Sequence, residues 1–263
     1  LGINLPGKRL SEILHHYEWA KKKCDTFIGR ESLRSQLMSL ITIQSVSFER
    51  SKKYAAINSY VVGVSGAGKT ALMAKVASEI FIWSRQQNST IPVLIRFCGT
   101  SPGSRNARTL VVSLCVQIEF LYELERKASS VEDKPYEELI QYFHSLLKEY
   151  PMYLFIDSLD QLTDDNLGRS QISFLKNVDD IHPQTRIIVS CLPDDKEVDP
   201  VTGKKYVYLC ETRLIEALVP RVIVQMSEKN PLDEAMSIVY ELLKQKRRKL
   251  TDEQLKVVRR KVS

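Results

Sequence analysis

The chain has 263 residues, 43% of them hydrophobic and 27% charged, with a formal net charge of +6. That length accommodates one large α/β domain plus the start of a smaller one, and the composition excludes disordered and fibrous classes. Five scattered cysteines (Cys24, Cys98, Cys115, Cys191, Cys210) lack metal or redox spacing, and no apolar run is long enough to span a membrane. A reduced, cytoplasmic setting is therefore expected, with the nucleus also allowed.

Much of the positive excess falls in Lys21–Lys23, Lys244–Lys249 and Arg259–Lys261, near expected helix C-termini. Cations there complement the helix dipole and solvate an outer face. No aromatic residues interleave with them as stacking platforms would require, so a nucleic-acid surface is the less favoured alternative.

In chain order, Leu10, Ile13, Leu14 and Tyr17 form the stripe of an amphipathic helix over Lys8–Lys23. A break at Cys24–Arg30 precedes a second helix with Leu33, Leu37, Leu40 and Ile41 on one side. Ser59–Val62 reads as a strand running into a loop at Gly63, followed by a helix from Lys69 to about Ser84. Val93–Phe97 is a strand, and Asn106 to about Lys127 is a helix with Leu110, Val111, Leu114, Ile118 and Leu121 inward. Pro135 opens a helix carrying Leu139, Ile140, Phe143, Leu146 and Leu147. Met152–Ile156 and Arg186–Val189 are apolar at nearly every position, as strands covered on both faces are, and Val222–Val224 is a candidate fifth strand. Asp194–Lys205 reads as a polar loop, Asn230-Pro231 as a helix start, and Thr251–Gln254 as a capping box. The last two helices lack partner strands and are expected to begin a helical lid.

Gly63-Val64-Ser65-Gly66-Ala67-Gly68-Lys69-Thr70 matches G-x-x-x-x-G-K-[ST] between a strand and a helix. A loop wrapping a pyrophosphate needs inward backbone N–H groups and small side chains, which Gly63, Ser65, Gly66, Ala67 and Gly68 provide. Lys69 is the candidate for the terminal phosphates, Thr70 for magnesium, and Ala71 follows in the first helical turn. The apolar strand Met152–Ile156 ends in Asp157, followed by Ser158-Leu159-Asp160-Gln161. On a strand neighbouring the loop strand, Asp157 would face the metal and Asp160 would orient or deprotonate water. The expected fold is thus an α/β P-loop NTPase three-layer sandwich with a mostly parallel five-stranded sheet.

Gly63–Thr70 together with Leu154-Phe155-Ile156-Asp157-Ser158-Leu159-Asp160 resembles the NACHT group of STAND-class ATPases. Phe27-Ile28-Gly29-Arg30-Glu31 resembles the segment that packs near adenine in that group, and Phe97–Ser101 its loop after the second strand. Ser190–Pro193 and Arg248–Gln254 look most like the NACHT and WD-repeat, telomerase-associated-protein-like subgroup. The resemblance implies ATP/ADP and Mg2+ as cofactors, Phe27, Ile28 and Arg30 as base-side contacts, self-association, and flanking repeat or effector modules. It divides the chain into a helix or linker (1–24), the nucleotide-binding domain (25–228) and the start of a helical domain (229–263). A chain running from Leu1 to Ser263 within a helical pattern is expected to be a piece of a longer protein. Two departures, Gln161 where many members carry Glu and Leu192 where many carry a sensing arginine, imply slow turnover. A nucleotide-locked scaffold and a nucleic-acid-dependent ATPase are the alternatives to a signalling switch. Asn-Lys-x-Asp, the guanine-reading segment, is absent. Thr100 and Ser101 are loop residues that could also line the phosphate side.

Overall fold

The computed structural model describes residues 7–25, 27–42, 54–124, 131–178, 180–194, 197–198, 205–206, 209–224 and 231–262. Two helices, α1 (Gly7–Asp25) and α2 (Glu31–Thr42), precede strand β1 (Ile57–Val62) and helix α3 (Lys69–Gln86). Then come β2 (Val93–Phe97), α4 (Ala107–Leu121), α5 (Tyr136–Glu149), β3 (Tyr153–Asp157), the short α6 (Gly168–Gln171) and β4 (Arg186–Cys191). A two-residue antiparallel ribbon, β5 (Glu197–Val198) with β6 (Lys205–Tyr206), leads to α7 (Cys210–Glu216) and β7 (Arg221–Ile223). The helices α8 (Pro231–Gln245) and α9 (Asp252–Val262) close the chain.

The strands β2-β3-β4-β1-β7 form one sheet in which every pairing is parallel. Side-chain alternation sorts its residues into two cores. Tyr60, Val62, Leu154, Ile156, Ile187 and Val189 pack with α4, α5 and α7 on one face. Val61, Ile95, Phe155 and Ile188 pack with α2 and α3 on the other. That is the three-layer arrangement a continuous apolar strand demands, because neither face meets water. The remaining cysteine thiols follow the same logic: Cys98, Cys115, Cys191 and Cys210 are buried apolar fillers.

Local signals account for several boundaries. The Asn106 side chain accepts from Thr109 N at 2.9 Å and starts α4 one residue later than the sequence periodicity suggests. Helix α4 ends at Leu121; Lys127, its expected end, lies outside the described residues, as do Asn230 and most of the loop expected at Asp194–Lys205. The capping box at the start of α9 is closed in both directions, Thr251 N to Gln254 Oε1 at 3.1 Å and Gln254 N to Thr251 Oγ1 at 3.3 Å.

Helix α1 corrects an expectation. Its apolar stripe is split: Leu10 and Leu14 face outward, 43% and 48% exposed, Ile13 is buried beside His16, and Tyr17 is half-exposed. The side that docks packs Trp19, Ala20 and Cys24 against the core shared with α2 and α3 and adds polar contacts to β2. His16 Nδ1 accepts from Phe97 N at 3.2 Å, and Tyr17 OH donates to Val93 O at 3.2 Å. Both backbone groups belong to the edge strand β2, whose other side pairs with β3. Arg96, fully buried on the same strand, donates Nη1 to Ile95 O at 3.0 Å and Nη2 to Ser113 O at 3.1 Å. Burial pulls its pKa down to about 10, opposed by the Glu12 carboxylate.

Phe155 lies wholly buried on an internal strand between β2 and β4, in the core shared with α3. Phe155→Ala is expected to cost about 3–5 kcal/mol, measured as a lower urea midpoint at unchanged slope.

Candidate functional site

In a parallel sheet the register decides which strand ends meet. Val62 pairs with Cys191, Ile156 with Val189 and Phe97 with Asp157, so β1, β2, β3 and β4 finish along one edge. Loops leaving that edge form the crevice where open α/β sheets take ligands. The acid strand β3 is not the neighbour of β1 that the sequence reading expected, because β4 lies between them. Helix α3 carries the chain from β1 past two strand positions to β2, and β3 and β4 then fill the gap.

The glycine-rich loop starts where β7 crowds it. A Cβ on Gly63 would lie 2.2 Å from the Val224 carbonyl oxygen, and Val224 N donates to Val62 O at 2.7 Å. Only hydrogen fits there. At the far end Gly68 adopts φ 91°, and a Cβ would meet Arg30 Nη1 at 3.1 Å. Arg30 also donates Nη1 to the Ala67 carbonyl, bracing the loop from the segment before α2. Lys69 arches back under the turn and donates Nζ to Gly63 O at 2.6 Å and Val64 O at 3.0 Å. Burial lowers the pKa of this ammonium, opposed by the carboxylates of Asp160 and Asp157.

Asp157 is buried and wrapped in hydroxyls. Thr70 Oγ1 donates to Oδ2 at 2.7 Å, Ser158 Oγ to Oδ2 at 3.1 Å, and Ser190 Oγ to Oδ1 at 2.5 Å. Ser190 comes from the intervening strand β4, and its Oγ also accepts from Ser158 N at 2.8 Å. Asp160 is pinned by two donors, Leu192 N to Oδ1 at 2.9 Å and Gln161 Nε2 to Oδ2 at 2.7 Å.

A cleft of about 350 Å³ joins the loop to the acid side; the buried Asp157 lies behind Thr70 and Ser158 and is not among its lining residues. The loop side of the cleft is Ser65, Gly66, Gly68, Lys69, Thr70 and Ala71. Ser158, Asp160, Gln161 and Leu192 form its acid side, and Lys23 enters from α1. Gly63 and Ala67 are not among the lining residues; the Gly63 carbonyl accepts from Lys69, and Ala67 N donates to Val64 O at 3.2 Å. Phe27 and Ile28 are not among the lining residues, and Phe27 packs against the core beside α2 and α3. Thr100 and Ser101 turn towards α1, Thr100 to His15 at 3.3 Å and Ser101 to Glu12, which leaves them as loop residues. Ser190 and Lys23 carry no site role in the sequence reading, which places them only in a resemblance segment and a cationic cluster. The serine was detectable as the polar interruption of Ile187-Ile188-Val189-Ser190-Cys191, whereas nothing distinguishes Lys23 from Lys21 and Lys22.

The donor set suits a hard divalent cation completed by ligand oxygens: one hydroxyl and one carboxylate, 2.7 Å apart, at the mouth of a phosphate-type loop. Among the described residues no group of three or more His, Cys, Asp or Glu could hold a metal without such help. Burial raises the pKa of Asp157, and the hydroxyls of Ser190, Thr70 and Ser158 and the Lys69 charge offset only part of this. A carboxyl with a raised folded-state pKa contributes stability that is complete below its unfolded pKa and lost as pH rises through the folded value. Asp157→Asn is therefore expected to raise the Tm at pH 7 in metal-free, nucleotide-free buffer, with the difference vanishing below about pH 3.8; differential scanning calorimetry across pH checks the sign.

Comparison with known proteins agrees with this geometry. The family model described as Nephrocystin 3, N-terminal, matches residues 42–191, more than half of the chain. Human NACHT domain- and WD repeat-containing protein 1 is 31% identical over 157 residues, covering 57% of this chain and 9% of that protein. Human NACHT and WD repeat domain-containing protein 2 is 27% identical over 166 residues, covering 60% of this chain and 9% of that protein. The chain thus spans about a tenth of the length of these curated relatives. Among solved structures, AMPPCP-bound DnaA from Aquifex aeolicus aligns with a TM-score of 0.46 at 15% identity, over 89% of this chain and 58% of that one. Cdc6p from Pyrobaculum aerophilum aligns with a TM-score of 0.46 at 13% identity, over 83% and 52%. Among the described residues no helix is long and apolar enough to cross a membrane. With the family model covering the loop, both acids and β4, the chain belongs to the Nephrocystin 3 N-terminal family and is a NACHT NTPase of the NACHT and WD-repeat type.

Proposed function

We propose that this chain binds ATP and ADP with magnesium, hydrolyses ATP slowly, and uses the difference between the two nucleotides as a conformational switch. The observation that carries the reading is the 2.7 Å contact between the Thr70 hydroxyl and the Asp157 carboxylate, across the opening of a glycine loop whose lysine lies in the same cleft. Loop amides and the Lys69 ammonium would grip the phosphates, the lysine exchanging its two loop carbonyls for phosphate oxygens. Thr70 and Asp157 would hold the magnesium ion, which when bound neutralises charge developing on the phosphate oxygens. Asp160 retains lone pairs beyond the two donors that pin it and would orient the attacking water.

The slow rate is supported by the same corner of the site. Gln161 offers an amide where a second carboxylate would strengthen proton abstraction, and Leu192 brings no charge. Those two features also support a second reading, a scaffold that holds nucleotide without useful turnover. Self-association and communication with repeat modules outside this stretch extend the switch reading, drawing on the WD-repeat relatives.

Lys69→Ala is expected to weaken MgADP and MgATP binding roughly 10- to 100-fold without loss of fold, as read by calorimetric titration and circular dichroism. Asp160→Asn is expected to lower turnover by roughly 100-fold or more while leaving nucleotide affinity near wild type. Equal rates in the two proteins, with nucleotide still bound, would favour the scaffold.

A further inference from the structure

Most residues lining the phosphate cleft come from the glycine loop, the acid strand's exit or the end of β4. Lys23 does not. It projects from the last full turn of α1, and among the lining residues only it and Lys69 are cations, against the single carboxylate of Asp160. The position after β4, where a positive charge would also face the phosphates, is Leu192.

Lys23 is carried there by a helix with fixed docking. Towards its start, Glu12 accepts from Ser101 Oγ and from His16 Nε2, the latter at 3.1 Å. In its middle, His16 and Tyr17 bond the exposed edge of β2, and the helix packs along α3. At its end, Phe27 N donates to Cys24 O at 3.1 Å and turns the chain. The Lys23 ammonium lies 5.1 Å from the centroid of the Trp19 ring one turn earlier, which steadies its stem. A cation held by such a helix reaches the cleft only while the helix is docked.

We propose that Lys23 is a second phosphate-binding cation, supplied by α1, so that docking of α1 and binding of a nucleoside di- or triphosphate reinforce each other. The inference rests on the nucleotide reading of the cleft. Because coupling is reciprocal, nucleotide must tighten α1 by the factor by which docked α1 tightens nucleotide.

The test uses the whole chain with MgADP and MgATP as probes. Lys23→Ala is expected to weaken both about tenfold, Lys23→Arg to retain most of the affinity, and Lys21→Ala, the same charge change in a neighbouring groove, to leave it unchanged. In parallel, MgADP is expected to slow tryptic cleavage after Lys21 and Lys22 in the wild type and to slow it less in Lys23→Ala. Wild-type affinity in Lys23→Ala, alongside lost affinity in Lys69→Ala, overturns the proposal and leaves the nucleotide reading standing. An equal loss in Lys21→Ala reduces the effect to diffuse charge and also overturns it. Wild-type affinity in Lys69→Ala removes the nucleotide reading itself, and this proposal with it.

Discussion

A buried carboxylate is the constraint around which this sheet is arranged. Asp157 lies at the end of an internal strand, almost without water, and its two oxygens are met by three hydroxyls from three different segments: the loop helix, its own strand and β4. Leaving such a group unpaired would cost several kcal/mol, so strand order, register and side chains at this edge are tied together. Ser190 can reach Asp157 only because β4 lies between β1 and β3. Thr70 can reach it only because the glycine loop delivers the start of α3 across that intervening strand.

At the same edge backbone and side chain divide the labour of shaping the loop and its cleft. Gly63 lets β7 approach to a distance that any Cβ would forbid, and this fixes where the loop begins. Gly68 takes a left-handed turn beside the Arg30 guanidinium, which fixes where it ends. Between these points Val64 is exposed and Ser65, Gly66 and Ala67 carry small side chains. Charge enters from the sides, with Lys69 beneath the turn and Asp160 opposite, clamped by a backbone N–H and an amide.

Much of this was legible in the residues. Spacing alone located the glycine loop, its lysine and hydroxyl, because phosphate geometry permits few alternatives, and an apolar run ending in Asp157 marked the acid strand. Strand order was not legible: β3 and β4 are equally apolar, so nothing local says which of them adjoins β1. Helix α1 misled for a different reason. Its leucines mark an apolar face, but the side that docks carries Trp19, Ala20 and Cys24, with His16 and Tyr17 bonding the backbone of β2. Helix α7 escaped notice because its seven residues carry too little periodicity. Phe27 and Ile28 rest on the resemblance alone, and Phe27 also packs against the core beside α2 and α3.

The docking of α1 has one more consequence. Sheets normally guard their margins with charge, proline or a covering element, since an open strand margin templates further strands. On this sheet the β2 margin is sealed by side chains, with the tyrosine hydroxyl on Val93 O, the guanidinium on Ile95 O and the imidazole on Phe97 N. Val93-Leu94-Ile95-Arg96-Phe97 without that cover would be a sticky apolar ribbon presenting free amide and carbonyl groups. The helix that precedes the first strand therefore doubles as a guard for this margin, and cutting the chain after Asp25 would open it to pairing with strands of other copies.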